Sequence, residues 1–363
     1  MDHSNNHPHF DPAHLRSPIE PAHKGRAQRL VEIAERVGAV RAARRLHDRL
    51  NSTITILAYH RVIPTDALDS YPLDPELISA TPQQFDWQMR HLREHRNPVS
   101  LTDVIAHLDK GTPLPRAAIA VTFDDGFSDT YRYAFPILNR YKIPATIFVS
   151  TGYVDSQTPF WFEIASYLIY RVQPRALKIE DGLTFPIGES LGDRTASLRQ
   201  VHGILKDLPN CERVILMDKW THEFSDLITH DAMNHNLPIS WHQIHHMASN
   251  GIDFGSHTVT HPNLTRLTDH DLDLELSESK RRLEAHLQRP IESIAYPIGT
   301  RTAFDQRVTA ATARNGFKLG VTYVPGANLM SRINRFEMHR HGIGRSMSPS
   351  YFRALMSLPS WLN

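Results

Sequence analysis

The sequence contains little cysteine and almost no net charge. Its 363 residues include a single cysteine, Cys211, which excludes an intramolecular disulfide framework and is typical of a reducing compartment. The 40 lysines and arginines nearly balance the 39 aspartates and glutamates, so no overall field would draw the chain to nucleic acid. We therefore expect no nucleic-acid partner.

Two kinds of targeting segment are also missing from the sequence. Residues 1–7 have neither the basic region nor the apolar region of a signal peptide. No apolar stretch approaches the roughly 20 residues that a membrane-spanning helix needs. These absences predict a cytoplasmic protein without a transmembrane segment.

The first 52 residues differ in composition from the rest of the chain. Residues 1–26 are polar and carry five of the 23 histidines without helix or strand periodicity, which predicts a disordered, histidine-rich tail. Over residues 27–52, apolar residues recur at helical spacing and arginines occupy the other faces, which predicts a basic amphipathic helix. Such a helix can contact an anionic membrane surface through residues 27–50, or it can pack on the following domain.

The remaining chain alternates apolar, β-branched segments with helical patterns. Strands are predicted over Thr53–Tyr59, Ala117–Phe123 and Ala145–Val149, and the last strand over Arg335–Ile343. About seven strands, most of them separated by helices, predict an α/β fold: an irregular or incomplete (β/α) barrel over residues 53–357. The long interval after Val149 predicts a mostly helical insertion at about residues 160–238.

Polar side chains follow two of these predicted strands. One strand runs into Asp124 and Asp125, and burial of neighbouring carboxylates is costly unless cations or donors compensate them. Another leads to His257 and His261, whose imidazoles suit zinc, cobalt, nickel or iron when a carboxylate completes the ligand set. The carboxyl ends of parallel strands meet on one face of a barrel, so these four side chains should converge there.

Four short segments resemble the motifs of one known family. They are Thr122-Phe123-Asp124-Asp125-Gly126, Ser256-His257-Thr258-Val259-Thr260-His261, Tyr296-Pro297-Ile298-Gly299 and Leu57-Ala58-Tyr59-His60-Arg61-Val62. The chain thereby resembles the polysaccharide deacetylases, the NodB homology domain or carbohydrate esterase family 4. The resemblance implies a metal-dependent hydrolase that removes N-acetyl groups from sugars.

The resemblance also implies a role for each matching residue. Asp125, His257 and His261 would hold one divalent metal ion, for which zinc is expected and cobalt, nickel or iron are alternatives. Asp124 would be the general base that takes a proton from the attacking water. The backbone N–H of Ile298 would help to hold the oxyanion.

The sequence departs from the family pattern at two positions. The arginine that usually opens the third motif and pairs with the base is replaced by Ala295, and we expect Arg340 to supply that cation instead. Arg340 also occupies the position at which the family usually has the histidine that acts as the general acid. Several other residues are therefore candidates for the group that protonates the leaving amine. They are His60 and, on the opposite face of the last strand, His339 and His341.

Three functions remain compatible with these patterns. The first is deacetylation of an N-acetylated sugar or polysaccharide precursor. The second is hydrolysis of a non-sugar linear or cyclic amide, because a metal site does not specify the acyl acceptor. The third is a carbohydrate-binding or scaffold protein with a degenerate site. The intact aspartate pair and the two histidines favour an enzyme.

Overall fold

The structure is a computed structural model that describes residues 53–68, 74–171, 176–180, 183–188, 190–229, 233 and 237–357. The predicted histidine-rich tail at residues 1–26 and the predicted basic helix at residues 27–52 lie outside these residues. Within the described residues, no helix has both the length and the apolar composition that a membrane crossing requires.

A main sheet of nine strands organises the fold of the described residues. The strands of the described residues are β1 (Thr53–Tyr59), β2 (Arg61–Val62), β3 (Ile78–Ala80), β4 (Asn97–Pro98), β5 (Ala118–Phe123), β6 (Ala145–Val149), β7 (Ala176–Glu180), β8 (Leu183–Pro186), β9 (Asp253–Ser256), β10 (Ser293–Ala295), β11 (Leu319–Val321), β12 (Asn328–Leu329) and β13 (His341–Gly342). Seven strands of the main sheet follow the order β11-β10-β9-β6-β5-β1-β12, while β4 pairs with β5 and β13 pairs with β1. Neighbouring strands in this order are parallel except for β12, which runs antiparallel to β1. This architecture confirms the predicted irregular (β/α) barrel.

Helices connect most of these strands, and several begin at the capping signals of the sequence. Thr81, for example, accepts from the N–H of Gln84, whose side chain accepts from the N–H of Thr81 in return. The helices are α1 (Thr65–Leu68), α2 (Pro82–His95), α3 (Leu101–Lys110), α4 (Phe135–Tyr141), α5 (Thr151–Ser156), α6 (Trp161–Arg171), α7 (Leu191–Asp207), α8 (Asn210–Glu223), α9 (Trp241–Ser249), α10 (Asp269–Leu287), α11 (Gln306–Arg314) and α12 (Pro349–Ser357). A π-helical turn, Thr130–Ala134, precedes α4, and 3₁₀ turns occupy Pro75–Leu77, Leu264–Arg266 and Met330–Arg332.

The segment after β12 lies between β11 and β1 and is broken. Met338 makes an isolated parallel bridge with Val321 of β11, and β13 pairs with β1. Within the described residues, the predicted continuous strand over Arg335–Ile343 is therefore wrong. Between β11 and β1, the sheet is therefore closed only by the few backbone hydrogen bonds of this broken segment, and the barrel is irregular.

Alternation along β5 separates two apolar layers. Ala118 and Ala120 pack with Phe148, Ala295 and Met338 from other strands, inside the barrel. The intervening residues of β5 pack against the surrounding helices in a separate cluster. The parity that places Ala118 and Ala120 inside also directs Asp124, just beyond β5, toward the barrel interior.

The interval between β6 and β9 is largely helical. Helices α6, α7 and α8 pack around their own buried cluster, which includes the fully buried Trp220. Phe127, which follows the aspartate pair, belongs to the same cluster. The packing thus joins this interval to the carboxyl end of the barrel.

Candidate active site

Asp125, His257 and His261 come together at the carboxyl end of the barrel. A carboxylate oxygen of Asp125 lies 3.4 Å from Nε2 of His257 and 3.3 Å from Nε2 of His261. All three side chains are buried, and one ligand atom from each lies within 4.8 Å of the others. Asp125 adopts a left-handed backbone conformation, with φ of 67°, and this local strain is typical of functional sites.

The chain around each histidine positions its ring. The Nδ1 atom of His257 lies 2.8 Å from the carbonyl oxygen of Ala295, which can only accept, so Nδ1 donates and Nε2 faces Asp125. In the loop that carries His261, the Glu275 carboxylate accepts from the N–H groups of Val259 and Thr260. The lone pair on Nε2 of His257 and the carboxylate of Asp125 repel each other unless a cation or a proton lies between them.

Burial and charge act against each other on this triad. Burial raises the pKa of Asp125, but the adjacent rings of His257 and His261, which donate to its carboxylate when they are protonated, outweigh burial and hold that pKa well below its usual range. Burial lowers the pKa of His261 to about 4, so its imidazole is neutral near pH 7. One carboxylate and two imidazoles form a donor set that fits a divalent cation such as zinc.

Asp124 forms a buried ion pair with Arg340. The two guanidinium nitrogens donate to the two carboxylate oxygens at 2.7 Å each. Nε of Arg340 donates to the carbonyl oxygen of Thr322, and a terminal nitrogen donates to the hydroxyl of Thr122. Burial by itself would raise the pKa of Asp124, but the charge and the hydrogen bonds of Arg340, together with the nearby His257, outweigh burial and hold that pKa below its usual range.

The structure places His60 beside Asp124 in the lining of the cavity. Its Nε2 atom lies 4.0 Å from a carboxylate oxygen of Asp124, and its ring packs at 5.3 Å from the ring of Tyr323. His60, Tyr323 and Ile298 all line the cavity above the triad. His339 and His341 are not among the described residues that line it.

The cavity has a volume of about 440 Å³ and a second wall that the sequence analysis missed. Asp74, which caps a 3₁₀ turn, Glu76, which lies within that turn, and His202 and Lys206, on α7, line it opposite the barrel. The i, i+4 spacing of His202 and Lys206 was a weak signal, because it recurs on many solvated helix faces. Trp161 lines the same cavity, and its indole N–H donates to the carbonyl oxygen of His261 at 3.1 Å.

A buried charge cluster behind the site was also missed. Arg61 donates to Asp129 at 2.8 Å and to Glu163 at 3.4 Å, and its guanidinium lies 4.3 Å from the centre of the Phe127 ring. Oε1 of Glu163 has no hydrogen-bond partner in the described part of the chain. Burial raises the pKa of Glu163 to about 8, in spite of the charge of Arg61. The residues are far apart in sequence, so only the fold reveals their contact.

Solved structures of low sequence identity share this fold. The Streptococcus pyogenes deacetylase PplD in complex with acetate aligns with a TM-score of 0.55 and 22% identity, over 84% of this chain and 99% of that one. IcaB from Ammonifex degensii aligns with a TM-score of 0.52 and 19% identity, over 85% of this chain and 97% of that one.

Two relatives that are similar in sequence are named as deacetylases. The putative polysaccharide deacetylase YxkH of Bacillus subtilis (strain 168) is 23% identical over 236 residues, 65% of this chain and 55% of its own. A poly-beta-1,6-N-acetyl-D-glucosamine N-deacetylase of Staphylococcus aureus (strain N315) is 31% identical over 121 residues, 31% of this chain and 41% of its own. The matched segments span about half of the length of these relatives. The polysaccharide deacetylase profile itself matches residues 111–320, more than half of the chain, and the chain therefore belongs to the polysaccharide deacetylase family.

Proposed function

We propose that this chain is a metal-dependent hydrolase that removes N-acetyl groups from an N-acetylated sugar or polysaccharide precursor. The observation that carries the proposal is the buried triad of Asp125, His257 and His261 beside the ion-paired Asp124, all open to one cavity. Two adjacent carboxylates in different environments are suited to two different tasks, one to a metal and one to a proton.

Asp125, His257 and His261 would hold a single divalent ion, which we propose to be zinc, with cobalt, nickel or iron as alternatives. When bound, such an ion lowers the pKa of a water molecule and polarises a carbonyl oxygen. The hydrogen bond from His257 to the carbonyl of Ala295 sets the tautomer that leaves Nε2 available as a ligand.

Asp124 would act as the general base on the attacking water. The bidentate contact with Arg340 keeps the carboxylate ionised and fixes its orientation, so its free lone pairs point in a constant direction. Arg340 thus supplies from the last, broken strand the cation that Ala295 cannot supply. We describe Arg340 as a positioning residue, because the carboxylate lies between it and the cavity.

His60 would protonate the leaving amine, and the backbone N–H of Ile298 would help to hold the oxyanion. His60 lines the cavity within 4.0 Å of Asp124, where it can exchange a proton with a group bound beside the base. Ile298 also lines the cavity and has a φ of 65°, a conformation that isoleucine rarely adopts outside constrained turns.

The substrate class is supported by the family and by the printed activity of the staphylococcal relative, an N-deacetylase of poly-beta-1,6-N-acetyl-D-glucosamine. Hydrolysis of a non-sugar amide uses the same metal chemistry and is the alternative that substrate tests must exclude. A degenerate binding protein is the second alternative, and the intact triad speaks against it. We also propose a cytoplasmic location with a peripheral membrane contact through residues 27–50, which cell fractionation and vesicle sedimentation test.

The deciding experiment measures acetate release from N-acetylglucosamine oligomers by the zinc-loaded protein. We expect release that stops with chelator, returns with added zinc, and falls by at least about a hundredfold in Asp124→Asn, since general-base catalysis contributes roughly 10²–10⁴-fold. Asp218→Asn, on the exposed face of α8, is the matched control and should retain full activity. Chelator-insensitive release, or full activity of Asp124→Asn, would refute the mechanism.

A further inference from the structure

The wall opposite the barrel contains unsatisfied acceptors and a donor that all face the cavity. Oδ1 of Asp74 accepts from the N–H of Glu76 at 2.9 Å, which leaves Oδ2 directed toward Nδ1 of His202 at 3.8 Å. Nε2 of His202 lies 3.1 Å from the carbonyl oxygen of Phe162 and must donate to it, so Nδ1 presents a lone pair. Two acceptors therefore face each other beyond hydrogen-bond distance, and a hydroxyl or amine of a ligand can reach either.

Lys206 places a donor beside these acceptors. Its side chain lines the cavity one helical turn after His202, and no carboxylate of the described residues lies within ion-pair distance of its ammonium. A half-buried ammonium without a direct ion-pair contact is costly, and a ligand oxygen would relieve that cost. The wall can thus both accept hydrogen bonds from a sugar hydroxyl and donate to one.

The net charge of this wall favours an uncharged ligand. Glu76 is neutralised by Arg199, which donates to it at 2.6 Å, and Asp74 and Lys206 carry opposite charges. His202 is neutral, because burial lowers its pKa to about 3. Among the described residues that line the cavity, Lys206 is the single lysine or arginine, against four carboxylates, so the charge of a diphosphate would be poorly compensated there.

The wall has a defined position relative to the metal ligands. The centroid of the Trp161 ring lies 6.3 Å from that of His261 and 6.2 Å from that of His202. The side-chain amide of Asn263, two residues after His261, donates to the carbonyl oxygen of Lys206 at 3.0 Å. The second wall is therefore fixed to the loop that carries His261, a proposed metal ligand. The Trp161 ring lies between His202 of this wall and His261.

We propose that Asp74, His202 and Lys206 form a subsite for the hydroxyl groups of the sugar next to the one that loses its acetyl group. This inference rests on the proposed deacetylase function and narrows its substrate to an uncharged oligosaccharide of at least two sugars. The subsite selects oligomers over single sugars and over nucleotide-linked sugars. Because it touches a non-reacting sugar, its three residues determine specificity and take no part in the chemical step.

The test compares the zinc-loaded, full-length protein with Lys206→Met and Asp74→Asn on N-acetylglucosamine, its trimer and a uridine-diphosphate-linked form. Each substitution should raise KM for the trimer about tenfold, the equivalent of one hydrogen bond to a charged group, with little change in kcat. KM for the single sugar, which does not span both sites, should change much less than KM for the trimer. Lys219→Met and Asp218→Asn, exposed on α8, are the matched controls.

Binding measured by calorimetry separates failure of the subsite from failure of the proposed function. If the wild-type protein releases no acetate from any substrate, the proposed function is wrong. The subsite is still supported in that case if the wild type binds the trimer more tightly than the single sugar and Lys206→Met does not. Equal effects of the substitutions on single sugar and trimer would overturn it. A preference for the nucleotide-linked sugar over the trimer would also overturn it. The same holds if the deacetylated trimer, made of glucosamine, binds more tightly than the N-acetylglucosamine trimer, because the wall would then be a site for ammonium groups.

Discussion

Replacement of Arg340 by methionine should destabilise the protein strongly, because it leaves the Asp124 carboxylate buried without its cation. Both side chains of this pair are almost fully buried, with 0% and 4% of their surface exposed, and two 2.7 Å hydrogen bonds join them. Removal of one partner from such a pair costs about 3–5 kcal/mol. We expect a loss of that size in the free energy of unfolding of Arg340→Met at pH 7.

The assay is urea denaturation in the presence of chelator, so that metal binding does not enter the comparison. The double variant Asp124→Asn/Arg340→Met removes both charges and should recover most of the loss. Arg335→Met, which breaks the partly exposed pair with Asp109 nearby in the fold, is the matched control and should change stability much less.

The effect of Arg340→Met must also depend on pH with a definite sign. The folded-state pKa of Asp124 lies below its unfolded value, so the stabilisation by Arg340 is present above the unfolded pKa of about 3.9 and is lost as the pH falls. The difference between wild type and variant should therefore shrink as the pH falls toward and below about 4, because protonation of Asp124 removes the uncompensated charge from the variant. A small loss at pH 7, or no recovery in the double variant, would refute the reasoning.

Three further predictions follow from other contacts of the structure. The pKa of Glu163 in the folded protein is about 8, so Glu163 stays protonated there while the unfolded chain loses this proton at about pH 4. As the pH rises from about 5 to 8, the free energy of unfolding of the wild type should therefore fall relative to that of Glu163→Gln, by up to about 1.4 kcal/mol per pH unit. Gly342→Ala would place a Cβ in steric conflict with the hydroxyl of Tyr323, so we expect displacement of that ring and lower deacetylase activity. His261→Ala removes one of three proposed ligands and should weaken zinc binding, measured by competition with a chromogenic chelator.

Each of these predictions has its own control. Glu212→Gln, exposed on α8, should show no such pH dependence relative to wild type. Gly344→Ala, where an added Cβ meets nothing within 4 Å, should leave activity unchanged, and equal losses in both glycine variants would contradict the account. His270→Ala, exposed on α10, should bind zinc as tightly as wild type; unchanged binding by His261→Ala would remove His261 from the ligand set.

Much of the fold could be predicted from the sequence because its signals are local. The capping box at Thr81 and Gln84 determines where α2 begins, and the apolar run of residues 145–149 coincides with β6. The last strand was predicted less well, since β13 and the bridge at Met338 depend on pairing with distant strands. Pairing across the barrel has no counterpart in local periodicity.

The site divides in the same way. The sequence by itself determined that Asp124, Asp125, His257 and His261 follow the ends of two strands, and parallel strands bring such residues to one face. Only the tertiary structure decided that the Arg340 guanidinium contacts both oxygens of Asp124, and that Asp74, His202 and Lys206 form the opposite wall of the cavity. The physical reason is the range of the interactions: motifs and caps act over a few residues, whereas these contacts join segments that are more than a hundred residues apart.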